Sequence, residues 1–379
     1  MTLRALASAS DLAALLKRDF RKNLMFIAYR IPDSQRVRKF RIPKKSGGER
    51  EICAPTGALI RLQQQILPII EADYTPKRYS HGFNKNRSIC TNADVHINKR
   101  WVLNIDLKDF FDNITFARIF GRLKAGPYSY QPDVARIIAH IACHDRKLMQ
   151  GGALSPILSN MVCDRLDSEL ARLCHPLGCR YSRYADDITI STNRIKFPSE
   201  IASIDGRHNS ILLGEKLLKL IENNGFFVND SKTRMQAKHV RQEVTGLVVN
   251  EKRNVPRDFV RNIRGMLHAW EKYGLQEASR EHFAVHRQSK GRLPNHEAKS
   301  FEWVVRGKIE FVRQVRGSTD FLFQKLASRF NAVAESRFPL VPIASVDILR
   351  ESVWIIEGKK RRRLERKIQR KIGIFDKIR

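Results

Sequence analysis

The chain has 379 residues, enough for two or three packed regions, and 42% of them are hydrophobic, which supplies material for true cores. Its 70 basic and 39 acidic residues give a formal net charge of +31, so nucleic acid is the expected partner of this positive field. No apolar run approaches the roughly 20 residues that span a bilayer, and Arg4 and Asp11 interrupt the stretch that a signal peptide would need. We therefore expect a globular, cytoplasmic protein.

The first predicted elements are a helix, a hairpin and a second helix. Leucines at helical spacing predict a helix over residues 10 to 28 with Ser10 as its cap. "VRKFRIPKKSGGEREICAP" alternates in strand fashion on both sides of Ser46-Gly47-Gly48, which predicts a basic hairpin. Apolar residues on one side then predict an amphipathic helix from about residue 58 to 72.

Short apolar strands and helices alternate further along the chain. "RWVLNIDLKDFFDNI" is typical of a strand that ends in acidic residues, and "SPILSNMVCDRLDSELARL" predicts a helix with Ser155 as cap and Pro156 in the first turn. From about residue 258 to 338 the pattern is helical and basic, which predicts a second, smaller domain. The tail "EGKKRRRLERKIQRKIGIFDKIR" predicts an amphipathic helix with one cationic face, which could bind RNA or be only a solvated surface.

The six cysteines form no CxxC pair, and several lie in apolar helical runs such as "NMVCDRL". This placement predicts reduced core thiols. Cys174, His175 and Cys179 offer possible zinc ligands, but a matching second pair is absent from the sequence.

Two adjacent carboxylates interrupt the strand-like run "RYSRYADDITIST". Because strand residues flank Asp186 and Asp187, we expect them at the tip of a tight hairpin; a solvated turn is the simpler alternative. Asp106, which emerges from the apolar strand of "LNIDLKDFF", is a third carboxylate that could meet this pair. Three convergent carboxylates suit two Mg²⁺ ions, whose chemistry activates a hydroxyl and neutralises a leaving pyrophosphate. The residues alone thus predict a nucleic-acid polymerase.

Four motifs in order closely resemble those of reverse transcriptases. "YADD" at 184 to 187 is similar to their catalytic box, "LNIDLKDFFDNI" to their first palm motif, "LMQGGALSPILSN" to the motif before the long palm helix, and "GFFVNDSKT" to the motif after the catalytic hairpin. The match covers roughly residues 36 to 250, although "LMQGG" differs from the more usual "LPQG".

This resemblance implies an α+β fold of the right-hand polymerase type, with fingers and palm built from antiparallel sheet and helices, then a helical thumb and a basic C-terminal helix. The domains expected are an N-terminal helical segment over 1–35, fingers and palm over 36–255, a thumb over 256–338 and a basic C-terminal extension over 339–379. The activity implied is RNA-directed DNA synthesis with Asp106, Asp186 and Asp187 as catalytic residues that bind two Mg²⁺ ions.

Two further motifs resemble hallmarks of retron reverse transcriptases, bacterial enzymes that copy part of a structured noncoding RNA into branched multicopy single-stranded DNA. These motifs are Asn92-Ala93-x-x-His96 in "TNADVHINKR" and Val244-Thr245-Gly246 in "VTGLVVN". "VVRGKIEF" at 304 to 311 is similar to a helix of their thumb. The resemblance implies the cognate RNA, the branched DNA product, dNTPs and a separate effector protein of antiphage defence as partners, and no membrane.

In this family, Asn92, His96, Thr245 and Gly246 would contact the RNA. For Asn92 and His96 the sequence leaves an equal alternative, in which they cap and fix the fingers.

The resemblance also assigns the nucleotide site. Phe111 would lie under the incoming sugar and clash with a ribose 2′-hydroxyl, while Phe110 fills the core; the alternative is that Phe111 is a plain core residue as well. Gln150 and Gly151 would touch the nucleotide and template base, since glycine permits close backbone approach.

Three cations complete this assignment. Lys44 and Arg50 flank the predicted hairpin, where fingers hold triphosphate oxygens, although Lys45 is an equal candidate for the lysine. Lys232 would protonate the departing pyrophosphate or be only a surface lysine.

Two alternatives remain open. A group II intron or phage-defence reverse transcriptase shares the palm motifs, but no Cys/His-rich nuclease motif follows residue 340 in the sequence. A purely RNA-binding protein on a degenerate polymerase fold is disfavoured because all three aspartates are present.

Overall fold

The computed structural model describes residues 2–43, 47–205, 210–286, 297–334 and 340–343. The chain divides into two compact units, Met1–Lys252 and Arg253–Arg379. Helices and antiparallel strands are mixed within the first unit, so the α+β class expected from the sequence is confirmed.

The N-terminal segment is broken, and the continuous helix predicted over residues 10 to 28 is wrong. In chain order its elements are a 3-10 turn at Leu3–Ala5, helix α1 at Ala9–Leu15, a π-helix at Phe20–Met25, helix α2 at Phe26–Tyr29 and helix α3 at Asp33–Arg36. Ser8, rather than Ser10, caps α1, because its hydroxyl accepts from the Asp11 amide while the Asp11 carboxylate accepts from the Ser8 amide at 2.9 Å. Lys17 then adopts a φ of 54°, and Asp19 starts a second cap by accepting from the Lys22 amide. Local capping therefore overrides the leucine periodicity.

The predicted hairpin and the helix after it are both present. Strands β1 Val37–Pro43 and β2 Glu49–Pro55 pair antiparallel, with Phe40 opposite Ile52. Helix α4 spans Gly57–Asp73 and buries the apolar side predicted for it.

The rest of the first unit builds one main sheet, several small ribbons and the helices around them. In chain order the elements are α5 Ile89–Asp94, β3 Trp101–Lys108, α6 Phe116–Lys124, α7 Pro132–Ala142, β4 Cys143–His144, β5 Lys147–Leu148, α8 Ser155–Cys174, β6 Cys179–Tyr184, β7 Asp187–Thr192, β8 Ala202–Ile204, β9 Ile211–Leu213, α9 Glu215–Asn223, β10 Phe227–Val228, a 3-10 turn at Asp230–Lys232, β11 Arg234–Ala237, β12 Glu243–Val244 and β13 Leu247–Val248.

The main sheet has the strand order β10-β3-β7-β6, and β11 also pairs with β3. Every pairing is antiparallel. Strand β3 is central because its two ends pair with β10 and β11 on one side, while its first six residues pair with β7 on the other. The acidic end of β3 therefore lies beside the first residue of β7, where Asp106 is the register partner of Asp187.

Helix α8 supplies much of the core, but Ser155 is not its cap as predicted. The helix begins at Ser155, with Leu154 in the cap position and Pro156 in its first turn. The Ser155 hydroxyl is buried and donates to the Met149 carbonyl at 2.6 Å. A buried carbonyl needs a donor more than the helix start needs a side-chain acceptor.

The second unit is helical. Its helices are α10 Arg257–His286, α11 Glu297–Arg316 and α12 Phe321–Val333, and α10 is interrupted at Gly274, whose φ is 79°. Trp270 packs edge-on against Phe301 and Phe330, with ring centroids 5.9 and 5.7 Å apart. The helical pattern predicted from residue 258 onward corresponds to these elements.

The predicted C-terminal amphipathic helix lies outside the described residues. Within the described ranges, none of the helices combines the length and the apolarity that crossing a bilayer requires.

Candidate active site

A two-residue turn carries the paired carboxylates. The last register pair of the β6–β7 hairpin is Tyr184 with Asp187, which leaves Ala185 and Asp186 as the turn. Ala185 has a φ of 56°, a left-handed conformation that costs a non-glycine residue free energy. The neighbouring strand holds the turn, since the Leu107 amide donates to the Asp186 carbonyl at 3.0 Å. The predicted placement of both aspartates at a hairpin tip is therefore observed.

The third carboxylate lies directly across from this tip. Residues opposite each other in an antiparallel pair project to the same face of the sheet, so Asp106 and Asp187 are neighbours. The Asp106 carboxylate accepts hydrogen bonds from Lys232 Nζ at 2.9 and 3.1 Å and from Asn229 Nδ2 at 3.3 Å. The 3-10 turn after β10 thus brings a cation to the carboxylates.

The two turn carboxylates are destabilised as anions. Burial raises the pKa of Asp186, and the nearby Asp106 raises it further, while Lys232 and Arg50 lower it. Burial, Asp186 and Asp106 together raise the pKa of Asp187 to about 6. Negative charge at this tip therefore exceeds what the surrounding cations neutralise.

A divalent cation fits this donor chemistry, because carboxylate oxygens are hard ligands that Mg²⁺ prefers. Across the described ranges, however, no three His, Cys, Asp or Glu side chains are arranged to hold a metal ion, and this includes Cys174 with Cys179, which were considered for zinc. At the hairpin, Lys232 binds Asp106 instead. The Asp106 carboxylate is therefore already paired with a cation.

Two of the residues predicted to bind the nucleotide, Arg50 and Gly151, lie at the same strand, β2. Arg50 is exposed on β2, and its charge contributes to the pKa of Asp186, which places it near the carboxylates. Gly151, with a φ of 105°, lies against the same strand, since a Cβ there would be 3.3 Å from the Cβ of Ala54. Gln150 beside it is half-buried. Lys44 lies outside the described residues.

Two adjacent phenylalanines follow β3. Phe110 is buried and stacks on Phe226 with centroids 5.5 Å apart. Phe111 is only partly buried and meets Phe110 edge-on at 5.3 Å. Phe110 therefore fills the core, as the sequence predicted, and Phe111 is the more accessible of the two rings.

The Asn-Ala-x-x-His motif lies inside the protein rather than on its surface. Asn92 and His96 are both fully buried. The two ring nitrogens of His96 lie 2.7 Å from the Ser182 hydroxyl of β6 and 2.6 Å from the Ser191 hydroxyl of β7, and Ser182 donates to Asn92 Oδ1 at 2.6 Å. Burial, with the nearby His81, Lys99 and Arg180, lowers the pKa of His96 to about 3, so the ring is neutral. This geometry favours the fixing role that the sequence left open.

The Val-Thr-Gly motif forms the turn of the β12–β13 ribbon. Thr245 and Gly246 have φ values of 47° and 79°, as expected for a two-residue hairpin turn. Val244 is buried, and the Thr245 hydroxyl donates to the Ile89 carbonyl at the start of α5 at 3.3 Å. The two motifs therefore meet in space. Gly246 is exposed and Thr245 half-buried, so the turn is accessible to a ligand.

Sequence reasoning missed a polar cluster beneath the Ala185–Asp186 turn. Arg183 of β6 and Asp167 of α8 form an ion pair in which both side chains are 0% exposed. A signal was present, because Arg183 shares a strand face with the buried Tyr181, and a charge on a buried face needs a partner.

Comparison with known proteins agrees with the motifs. A family model described as reverse transcriptase (RNA-dependent DNA polymerase) matches residues 42–252. The retron Mx65 and Mx162 reverse transcriptases of Myxococcus xanthus are 35% and 33% identical over 65% and 70% of this chain. The retron Ec86 reverse transcriptase of Escherichia coli is 31% identical over 62% of this chain and 69% of its own length. The matched region spans 57% and 59% of the two Myxococcus relatives.

Proposed function

The chain belongs to the reverse transcriptase family, and from this premise we propose that it is the RNA-directed DNA polymerase of a retron. The observation that carries the proposal is the placement of Asp106 opposite Asp187 on paired strands, with Asp186 at the adjoining turn. The similarity to retron reverse transcriptases supports the choice of branch within the family.

Asp106, Asp186 and Asp187 would hold two catalytic Mg²⁺ ions. When bound, such ions activate the attacking hydroxyl and neutralise the charge of the leaving pyrophosphate. The raised pKa values of Asp186 and Asp187 support this role, because a bound cation would offset their mutual repulsion. Lys232 closes the site by pairing with Asp106. Once released, its ammonium group would face the pyrophosphate and give it a proton.

The substrate contacts that we propose are the ones that the family resemblance implies. Arg50 would bind triphosphate oxygens from the exposed hairpin, aided by Lys44. Gln150 and Gly151 would contact the nucleotide and its template base, and Phe111 would exclude the ribose 2′-hydroxyl. We assign fingers and palm to residues 36–255, the thumb to 256–338, and the flanking segments as predicted from the sequence.

The RNA partner would be the cognate noncoding RNA, which serves as both template and primer. The charge of +31 binds any RNA through phosphates, so specificity requires contacts to RNA shape. The accessible Thr245-Gly246 turn and the thumb are the surfaces that we propose for these contacts. As a retron enzyme, the protein would start DNA synthesis from the 2′-hydroxyl of an internal guanosine of this RNA. It would act in the cytoplasm and would accompany a separate effector protein in antiphage defence.

Primer-free synthesis tests this proposal. The protein is incubated with its cognate RNA, dNTPs and Mg²⁺ but without an added primer, and the product is digested with RNase and then with debranching enzyme. We expect DNA joined to RNA by a 2′,5′ bond, so debranching shifts its mobility. A requirement for an added primer, or a product that debranching leaves unchanged, would overturn the retron assignment while leaving DNA polymerase activity; no DNA under either condition would overturn both.

A further inference from the structure

We propose that the buried Asp167–Arg183 ion pair positions the catalytic turn, so that Arg183 is a positioning residue for Asp186 and Asp187. This inference rests on the proposed polymerase function. Arg183 Nε and Nη2 donate to the two carboxylate oxygens of Asp167 at 2.7 and 2.8 Å. Arg183 Nη1 points elsewhere and donates to the Ala185 carbonyl at 3.0 Å. One guanidinium therefore joins the helix α8 to the turn that carries the catalytic carboxylates.

The complete burial of this pair indicates a role other than stability. Removing two charges from water costs several kcal/mol per ion, and their attraction often does no more than offset that cost. An apolar pair of similar volume would serve the core as well. What an apolar pair would lack is a donor for the Ala185 carbonyl.

The turn needs such a donor because its conformation is strained. A non-glycine residue in the left-handed region costs about 1 kcal/mol or more and persists only where its surroundings determine it. Ala185 is buried in this conformation with a φ of 56°. The peptide between Ala185 and Asp186 sets the direction of the first turn carboxylate, so the Arg183 contact to the Ala185 carbonyl restrains that direction.

The segment before α5 restrains the turn from the other side. The Arg183 amide donates to the Tyr79 carbonyl at 2.8 Å, and the His81 amide donates to the Arg183 carbonyl at 2.8 Å. Gly82 then lies so close to the turn that a Cβ on it would be 2.7 Å from the Ala185 amide nitrogen. These contacts fix the backbone of Arg183, and the fixed backbone determines the position from which its side chain reaches the turn.

Three polar side chains complete the cluster. Arg183 Nη2 also lies within 3.2 Å of Asn160 Oδ1 and 3.4 Å of the Ser80 hydroxyl. The Tyr181 hydroxyl donates to Asp167 at 2.7 Å. Because the buried hydrogen bonds of the guanidinium are satisfied in one arrangement, rotation of the Arg183 side chain would leave polar groups unpaired.

The test compares three variants of the full chain. Asp167→Leu/Arg183→Met replaces the pair with apolar side chains. Arg183→Lys keeps a cation for Asp167 but lacks the planar guanidinium, whose Nε and Nη2 face Asp167 while Nη1 faces the turn. The control, Arg122→Met/Asp164→Leu, removes another ion pair of α8, with an N–O distance of 2.7 Å, that has no hydrogen bond to the hairpin.

The first readout needs no activity. Amide hydrogen exchange is measured on peptides that cover residues 184–187. We expect exchange at the turn to accelerate by about tenfold or more in both Arg183 variants and to match wild type in the control, since a lost restraint of 1.4 kcal/mol corresponds to that factor. Unchanged exchange at the turn in folded Arg183 variants would overturn the inference.

The second readout is single-nucleotide addition. A displacement of about 1 Å at a reacting centre costs roughly 100-fold in rate, so kcat should fall by about that factor in both Arg183 variants while KM for the dNTP stays within about threefold. The control should lose thermal stability but keep kcat. Equal loss of kcat in the control and in the Arg183 variants would assign the pair a structural role only and overturn the inference. If wild type and control make no DNA, the proposed polymerase function fails, and the exchange result alone decides the positioning role.

Discussion

Two antiparallel hairpins of the first unit are built in opposite ways. Along the β6–β7 hairpin nearly every residue of the strands is buried or half-buried. Among the strand residues of the β1–β2 hairpin, which lie in the described part of the chain, only Val37 and its register partner Pro55, at the base, are buried. The ion pairs Arg41–Glu49 and Lys39–Asp145, both 3.4 Å long, are on the surface, where water and salt screen them, so they contribute little to stability.

The difference teaches which kind of function each hairpin suits. Buried polar groups must be paired, so the serines and Arg183 of β6–β7 allow a single arrangement, which is what a site for metal-assisted chemistry needs. Exposed cations remain hydrated and free to meet a ligand, which suits capture of a polyphosphate. Five predictions test this contrast, starting with the largest effect.

Removing the two carboxylates of the β6–β7 hairpin should abolish DNA synthesis without unfolding the protein. For Asp186→Ala/Asp187→Ala we expect DNA synthesis to fall by more than about 10⁴-fold, since loss of metal stabilisation exceeds several kcal/mol. Thermal stability should be unchanged or higher, because the neighbouring carboxylates, Asp106 among them, repel each other as anions. Primer extension, thermal unfolding and RNA filter binding measure these effects. Asp133→Ala, at an exposed aspartate, is the control; synthesis near the wild-type rate in the double variant would contradict the assignment.

Removing the buried imidazole should destabilise the protein rather than weaken RNA binding. His96→Leu leaves the hydroxyls of Ser182 and Ser191 without their ring partner, and each unsatisfied buried group costs about 1–3 kcal/mol. We expect a lower midpoint of thermal unfolding, reduced DNA synthesis and an unchanged Kd for RNA. His175→Leu, at an exposed histidine, should change none of these. A weaker RNA Kd with normal stability would favour direct RNA contact by His96.

The same histidine predicts a pH dependence of stability. Burial is the main cause that lowers the pKa of His96 to about 3 in the folded protein. In the unfolded chain the pKa of the same imidazole is close to its ordinary value of about 6.5. Stability from this group is therefore complete above about pH 6.5 and is lost as the pH falls toward 3, by roughly 2 kcal/mol at pH 5. Denaturant titrations of wild type and His96→Leu at pH 7.5 and 5 measure the difference, which should shrink at the lower pH.

The local elements were predictable because each depends on neighbouring residues. Alternation around Gly47-Gly48 predicted the exposed hairpin, and helical spacing predicted α4 to within one residue at each end. The break in the N-terminal helix was missed because two caps, at Ser8 and Asp19, compete with a periodic apolar pattern. The spacing of apolar residues indicates which face of a helix is buried, but it does not indicate where a capping residue starts a new helix.

The contacts that organise the site could be predicted only in part. The family motifs identified the three aspartates, but the pairing of Asp106 with Lys232 joins residues 126 positions apart. Spacing along the chain gives no distance between such residues. The burial of Asn92 and His96 was equally hidden, since their partners are serines on two strands that become neighbours only when the sheet forms.

Enlarging the space under the incoming sugar should relax discrimination between nucleotides. With Phe111→Ala we expect ribonucleotide incorporation, relative to deoxyribonucleotide, to rise by about tenfold or more, because steric rejection of a small group is worth roughly 1–3 kcal/mol. Incorporation ratios from single-nucleotide addition measure this. Phe110→Leu, in the buried ring of the same pair, should lower stability and leave the ratio unchanged. If Phe111→Ala behaves like Phe110→Leu, then Phe111 is a core residue.

The smallest effect is expected on the exposed hairpin. Arg50→Ala should raise KM for dNTPs by roughly tenfold and leave kcat within about twofold, because one charge-assisted hydrogen bond to phosphate is worth about 1.5 kcal/mol. Arg50→Lys should give an intermediate KM, since lysine keeps the charge but loses the bidentate contact. Steady-state kinetics at several KCl concentrations measure both variants.

Salt and a neighbouring arginine provide the controls for Arg50. The KM difference between wild type and Arg50→Ala should shrink as KCl rises, because screening weakens contacts between exposed charges. Arg41→Ala removes a cation of the same hairpin that is already paired with Glu49, and we expect its KM to stay within about twofold of wild type. Equal KM values for both alanine variants would mean that the exposed hairpin attracts nucleotides by its total charge, and Arg50 would then have no specific role.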